Sequence, residues 1–326
     1  MSSATGESME SVILSGSRRC ESAGEACHRW LSIRPGALQA ILALVWALLF
    51  GEAAAGAAAQ GAGEWAPRRG QPGTDVMWLP TSDELASRLL EVARVGPEDL
   101  VYDLGAGDGK IAIAAAAKHG ARSVGIEYNA QLAEHARRNV ERAGLAHRGS
   151  IRQGDLFQTD FSSATVLTLY LLEELNHQLR PTILAMRPGT RVVSNSFAMG
   201  DWEPDQVIRV GTQVGYYWKV PARVEGRWRL DGIEESGASA LLELVQRHQR
   251  LAGTIAIGGR SQPLLSPEID GTRVMLRYVD SGGLLKALAL TVRGEGLEGE
   301  VVPPYGMIEN PGEPVRVRAR RVQSGG

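Results

Sequence analysis

A turn with glycine at every second position constrains this chain more than any other feature. Leu100-Val101-Tyr102 leads into Asp103-Leu104-Gly105-Ala106-Gly107-Asp108-Gly109, and a small, helix-forming run from Ile111 to Lys118 follows. The order predicts strand, tight turn and helix. Alternate glycines let the backbone take positive φ and approach a ligand closely, while the opening helix offers it unpaired N–H groups. The spacing is G-x-G-x-G, which lacks the third glycine that packs helix on strand in the G-x-G-x-x-G loop of dinucleotide enzymes. With Asp103 ahead of Gly105, Gly107 and Gly109, the loop suits a cofactor bearing an ammonium group, such as the amino acid end of S-adenosylmethionine.

Ribose and adenine contacts follow in order. Ser123-Val124-Gly125-Ile126 reads as a second strand with Glu127 at its end, at the separation from the glycines expected of an acid that accepts two ribose hydroxyls. Asn129 to Gly144 has helical composition, and Ser150-Ile151-Arg152-Gln153 reads as a third strand ending in Gly154-Asp155-Leu156-Phe157. Asp155 suits the adenine amino group, the N–H of Leu156 suits the neighbouring ring nitrogen, and Leu156 or Phe157 suits the ring face.

Ala164 to Tyr170 is a nearly continuous apolar run of the kind buried on both faces of a parallel sheet, and is expected to be the fourth strand. Leu175 to Met186 has helical composition interrupted by Pro181, which predicts a short turn before the proline and the main helix after it. Arg191 to Ser194 reads as the fifth strand, and Gln206 to Val210 with Val214 to Val220 as a closing antiparallel pair. Strand and helix alternate from Leu79 to Val220, so the expected fold is α/β: a doubly wound, Rossmann-like sheet of seven strands with ligands at the carboxyl ends of its strands.

The runs Trp78-Leu79-Pro80-Thr81-Ser82, Val101 to Gly105, Thr168-Leu169-Tyr170-Leu171-Leu172 and Arg191 to Phe197, followed by Gly200-Asp201-Trp202, resemble a bacterial group of class I methyltransferases. That group is similar to the mitochondrial lysine methyltransferases of the ATP synthase c-subunit and the adenine nucleotide translocase. The resemblance covers roughly residues 75 to 225 and departs from the pattern at Ser82, where a second proline is common, and at Asn195-Ser196, where a His-Asp pair is frequent. Both departures bear on the methyl acceptor and not on the cofactor. The resemblance implies an S-adenosylmethionine-dependent enzyme whose acceptor is a protein lysine, with a small molecule or lipid as the next candidate. It also implies that Thr81 closes over the methionine end of the cofactor. Tyr170 and Asn195 then stand where substrate enters this fold, and Trp202 and Trp78 are candidate aromatic walls against a sulfonium or ammonium. Methyl transfer is an in-line displacement at the sulfonium methyl carbon, which calls mainly for alignment and exclusion of water; no metal site is expected. A catalytically silent binding module on the same fold is the competing class.

A formal net charge of −2 over 326 residues argues against a general grip on nucleic acid. Arg29 and Arg34 precede the apolar run Ala37 to Phe50 and an alanine-rich stretch with A-x-A sequences, the order of a signal peptide or, uncleaved, of a membrane anchor. The expected location is therefore the cell envelope, exported to the periplasm or membrane-anchored, with a cytoplasmic protein carrying an upstream extension as the alternative. Cys20 and Cys27, the 2 cysteines of the chain, both precede that run, so a cleaved product has no thiol chemistry. Beyond Pro221, paired glycines punctuate segments such as Thr272 to Tyr278 and Ala287 to Val292 with period-two apolar residues, a β meander expected to form a half-barrel or sandwich. Ala238 to Leu251 is read as strand. Arg316, Arg318, Arg320 and Arg321 alternate with Val315, Val317 and Ala319 as the solvated face of an amphipathic strand. The domains expected are 1–60 signal or anchor, 61–76 linker, 77–221 methyltransferase and 222–326 β-rich domain.

Overall fold

The structure, a computed structural model, describes residues 65–68, 70, 79–233, 239–302 and 315–322. The N-terminal apolar run, both cysteines and Trp78 lie outside the described residues. Among the described residues no helix is long and apolar enough to cross a membrane.

The first half forms α1 (Asp83–Val92), β1 (Leu100–Leu104), α2 (Lys110–His119), β2 (Arg122–Glu127), α3 (Ala130–Arg142), β3 (Gly149–Gln153), β4 (Val166–Leu169), α4 (Glu173–Leu184), β5 (Arg191–Asn195), β6 (Gln206–Val210) and β7 (Gln213–Lys219). Local chemistry sets the helix starts. Ser82 caps α1 by accepting from the Leu85 N–H at 3.2 Å, with Asp83 and Glu84 placed against the positive end of the helix dipole. Asn129 caps α3 in the same way through the Leu132 N–H at 3.0 Å.

The sheet order is β3-β2-β1-β4-β5-β7-β6, with β1 to β5 parallel and β7 antiparallel to both neighbours. From β1 the chain steps outward to β3, then crosses back to β4 on the other side. That reversal opens the crevice in which such sheets bind ligands, above the carboxyl ends of β1 and β4. Successive residues of β1 feed opposite faces: Val101 packs with the α1 side, and Tyr102 and Leu104 with the other core cluster.

One helix corrects the expectation drawn from Pro181. Helix α4 starts eight residues before the proline and runs through it, because Asn176, Leu179 and Ile183 keep one buried stripe. Pro181 stands on the exposed face, so its ring meets solvent and not the sheet. The fourth strand is also shorter than its apolar run, and Tyr170 lies just beyond it.

The second half is all antiparallel: β8 (Gly226–Asp231), β9 (Ala240–Arg247), β10 (Arg250–Ile257), β11 (Arg260–Pro263), β12 (Leu265–Asp270), β13 (Arg273–Val279), β14 (Leu285–Arg293), β15 (Gly296–Val302) and β16 (Val315–Arg321). It is neither half-barrel nor sandwich. Strand β16 pairs back with β8, β9 pairs with β10, and β10 reaches β12 at Arg250 and Glu268, so the ring closes with β11 as a short strand outside it. A meander whose strands each have one apolar face has no second sheet to pack on; closing the twisted sheet on itself buries that face and removes the edges. Trp228, Leu242, Leu276, Tyr278, Leu288 and Val317 fill the interior. The arginines of β16 point outward, while Val317 and Ala319 are buried; Val315, grouped with them by its alternation, faces solvent.

Sheet and barrel belong to one compact unit. The connection between them, from Val220 to Glu225, is tied by the Ala222 N–H donating to the Gly271 carbonyl at 2.8 Å and by an ion pair between Lys219 and Asp270.

Gly125 of β2 has a packing role. A Cβ there would lie 2.7 Å from the Ala106 Cβ and 2.6 Å from the Ile151 Cδ1; the isoleucine tip can move, but Ala106 cannot. Gly125→Ala is therefore expected to lower stability by about 1–3 kcal/mol through overpacking. Thermal melting checks this, and an unchanged melting temperature contradicts it.

Candidate active site

The glycine loop closes against the end of β2. Gly105, Gly107 and Gly109 all have left-handed backbones, with φ of 86°, 57° and 82°. The Gly105 and Ala106 N–H groups both donate to the Ile126 carbonyl at 2.9 Å. The Gly107 N–H donates to Glu127 Oε2 at 2.9 Å, and the Asn129 N–H donates to Oε1 at 2.9 Å. Glu127 thus fastens the loop while each of its oxygens keeps a further lone pair for a hydroxyl. Burial raises its pKa, opposed by those N–H bonds.

Asp103 stands in β1 directly opposite Thr168 of β4, whose hydroxyl donates to its Oδ1 at 2.6 Å. The carboxyl is 4% exposed. Burial pushes it up to about 7, against the Thr168 hydrogen bond and with the negative charges of Asp108 and Glu127 adding to the shift. No lysine, arginine or histidine among the described residues forms an ion pair with it.

Asp155 follows β3, and the parallel register sets Gln153 beside Glu127. Its Oδ1 accepts from the Phe157 N–H at 2.8 Å and its Oδ2 from Gln158 Nε2 at 3.1 Å, which orders the turn. Leu156 is half-buried against the central core, and Phe157 is exposed. The structure therefore sets Asp103, Glu127 and Asp155 along one edge of three neighbouring parallel strands, spanning roughly 10 Å from two interstrand spacings.

Thr81 arrives from the segment before α1. Its hydroxyl accepts from Asn195 Nδ2 at 3.1 Å, and its carbonyl accepts from Lys110 Nζ at 2.9 Å. Lys110 also pairs with Asp83 at 2.8 Å, so the first residue of α2 holds the entrance segment over the glycine loop. Asn195 ends β5, almost fully buried, and its Oδ1 accepts from the Ser196 hydroxyl at 2.8 Å. The register of Leu169 with Ser194 sets Tyr170 beside Asn195, and the Tyr170 ring lies 6.4 Å from that of Phe197.

Trp202 corrects the expectation of an aromatic wall. Its side chain is fully buried in the core, 5.9 Å from the Trp218 ring, and its carbonyl accepts from Trp218 Nε1 at 2.8 Å. It packs in the core cluster that includes Leu179 and Ile183 of α4, with His248 of the β9–β10 hairpin 6.0 Å from its ring. Residues that sequence reasoning missed are Thr168, Lys110, Gly125 and Phe197. Only Thr168 carried a signal, as a hydroxyl in an otherwise apolar buried strand.

The donor set fits S-adenosylmethionine. Acids line the strand ends, a buried carboxyl with no cationic partner among the described residues stands beside the loop, and at Gly105 the φ of 86° strains any side chain, whose Cβ would also lie 3.0 Å from Leu171 Cδ2. Residues 103–206 match the model of the ANTKMT methyltransferase domain. A protein-lysine N-methyltransferase of Saccharolobus islandicus is 42% identical over 41% of this chain and 85% of its own length. A lysine N-methyltransferase of the ATP synthase c-subunit, from Xenopus laevis, is 27% identical over 44% of this chain and 64% of that protein, so the chain spans under two thirds of it. A solved RNA methyltransferase from Salinibacter ruber, in complex with S-adenosyl-L-homocysteine, is 47% identical over 45% of this chain and 96% of that one, with a TM-score of 0.44.

The Asp103 environment has a consequence for stability. Its carboxyl titrates near 7 when folded against an ordinary 3.8, so between those values the folded chain holds more proton than the unfolded one. The contribution of the protonated Asp103 carboxyl to the stability of the ligand-free protein is then fully present below about pH 4 and is lost as pH rises to about 7, by on the order of a few kcal/mol. Asp103→Asn is expected to flatten that slope and to raise the melting temperature at pH 8. Parallel pH–melting curves for the two proteins contradict the assignment.

Proposed function

The chain belongs to the S-adenosylmethionine-dependent protein-lysine N-methyltransferase family, and from that premise we propose that it transfers a methyl group to the ε-amine of a lysine in a protein. The observation that carries the reading is the cation-free carboxyl of Asp103 beside the three left-handed glycines, with Glu127 and Asp155 on the next two strands.

Bound S-adenosylmethionine supplies an electrophilic methyl on a sulfonium. Asp103 would hold the ammonium of its amino acid end, Glu127 the ribose hydroxyls, and Asp155 with Leu156 the adenine, while Thr81 closes the methionine end. On the acceptor side the ends of β4 and β5 present Tyr170, Phe197 and Asn195. Aromatic rings there lower the polarity around an incoming amine and so favour its neutral, nucleophilic form. Tyr170 and the Asn195 amide can orient its lone pair along the line of displacement, where alignment supplies most of the rate. Location at the cell envelope is a separate proposal, supported by the arginines before the apolar run Ala37 to Phe50.

The test is transfer of tritium from labelled S-adenosylmethionine into a lysate of cells lacking the gene. Label is expected in protein, as methyl-lysine after hydrolysis. Label confined to RNA, lipid or small molecules contradicts the lysine acceptor.

A further inference from the structure

The loop after β5 is held from two sides. On the methyltransferase side the Ser194 hydroxyl donates to the Phe197 carbonyl at 2.7 Å, and Asn176 of α4 donates to the carbonyls of Phe197 and Ala198 at 3.3 and 3.2 Å. Arg180 donates to the Met199 carbonyl at 2.8 Å and pairs with Asp201. On the barrel side the tip of the β9–β10 hairpin reaches the same loop. Arg247 pairs with Asp201 at 2.8 Å, Gln249 Nε2 donates to the Glu203 carbonyl at 2.6 Å, and Arg250 pairs with Glu203. His248 sets its ring 6.0 Å from that of the buried Trp202, with Nε2 at 3.5 Å from Asp201 Oδ2.

The arginine pairs are exposed and worth little by themselves. His248 differs. Its side chain is 18% exposed, and it occupies the first position of a two-residue hairpin turn with φ of 52°. A positive φ at that position selects glycine or asparagine, because a Cβ there crowds the backbone. Ser196, at the start of the held loop, has φ of 66°. Left-handed backbones at residues other than glycine cost stability and persist where surrounding contacts over-determine them. Here such residues stand at the loop's entry and at the hairpin tip that grips its far end.

We propose that His248 is a positioning residue for methyl transfer. Packed against Trp202 and Asp201, it fixes residues 196–203, and through them Asn195 and Phe197 beside Tyr170. The barrel thereby acts on the acceptor entrance rather than on the cofactor loop. This rests on reading the ends of β4 and β5 as that entrance.

His248→Gly in the full-length protein tests it, because glycine relieves the turn while deleting the ring. The melting temperature is expected to change little, because relief of the positive φ offsets the packing lost with the ring. Affinity for S-adenosyl-L-homocysteine by calorimetry should stay within about twofold, since that loop is held by other residues, and methyl-lysine formation at saturating S-adenosylmethionine should fall at least about fivefold, because misplacement of reacting groups costs rate steeply. Amide hydrogen exchange should quicken in residues 196–203 and not in the glycine loop. Wild-type rates of exchange or of transfer overturn the proposal. So does a variant that melts lower and loses binding and transfer together, which assigns His248 to folding. A wild-type protein that binds S-adenosyl-L-homocysteine yet labels no lysine, with exchange in residues 196–203 quickened by the variant, locates the failure in the acceptor assignment and overturns the link to methyl transfer.

Discussion

A buried carboxyl at the centre of a parallel sheet, with no cationic partner among the described residues, is the constraint around which this structure is arranged. Asp103 is held by the Thr168 hydroxyl and repelled by Glu127 and Asp108, and burial drives its pKa up to about 7. A folded chain gains nothing from such a group; left alone, it opposes folding as pH rises. Its environment becomes favourable once a positive charge arrives. Carboxyls perturbed in this way cluster at functional sites. The fastening of the glycine loop by Glu127 shows the complementary device, a buried acid satisfied by backbone N–H groups, so that the loop holds its shape.

Topology converts these local features into one site. The reversal between β1 and β4 brings Asp103 and Thr168 into register, while β2 and β3 extend the same edge with Glu127 and Asp155. On the other side β4 and β5 carry Tyr170 and Asn195, and Asn195 meets Thr81 from the chain's earlier segment. Under the proposed function, cofactor and acceptor residues meet across β1 and β4, where a displacement needs both reactants aligned and dry. The closed barrel adds a hairpin that grips the loop after β5.

Much of this was legible because it depends on short-range rules. Alternate glycines after an apolar run and acids at the ends of β-branched segments have few other structural solutions. The closing pair read at Gln206 to Val210 and Val214 to Val220 forms as Gln206–Val210 and Gln213–Lys219, and the period-two segments Thr272 to Tyr278 and Ala287 to Val292 fall on β13 and β14. What was not legible depends on tertiary packing. Pro181 looks like a helix boundary until the sheet beneath keeps the stripe of Asn176, Leu179 and Ile183 buried through it. Closure of the barrel requires β16 to find β8 across the whole domain, a pairing that no local pattern encodes. Trp202 reads as an entrance aromatic until tertiary packing sets it in the core beside Trp218, and Thr168 acquires its meaning only when β4 lies beside β1.

The most direct measurement is the proton count of cofactor binding, by calorimetry of S-adenosylmethionine at pH 6 in buffers of different ionisation heat. At that pH the ligand's amine is already charged, and an Asp103 carboxyl that titrates near 7 is mostly protonated. If it ionises against the ammonium, binding releases about 0.9 proton at pH 6, less at pH 8, and close to none in Asp103→Asn. Binding with no dependence on buffer at pH 6 would mean that Asp103 stays neutral in the complex and that the central carboxyl does not hold the cofactor's charge.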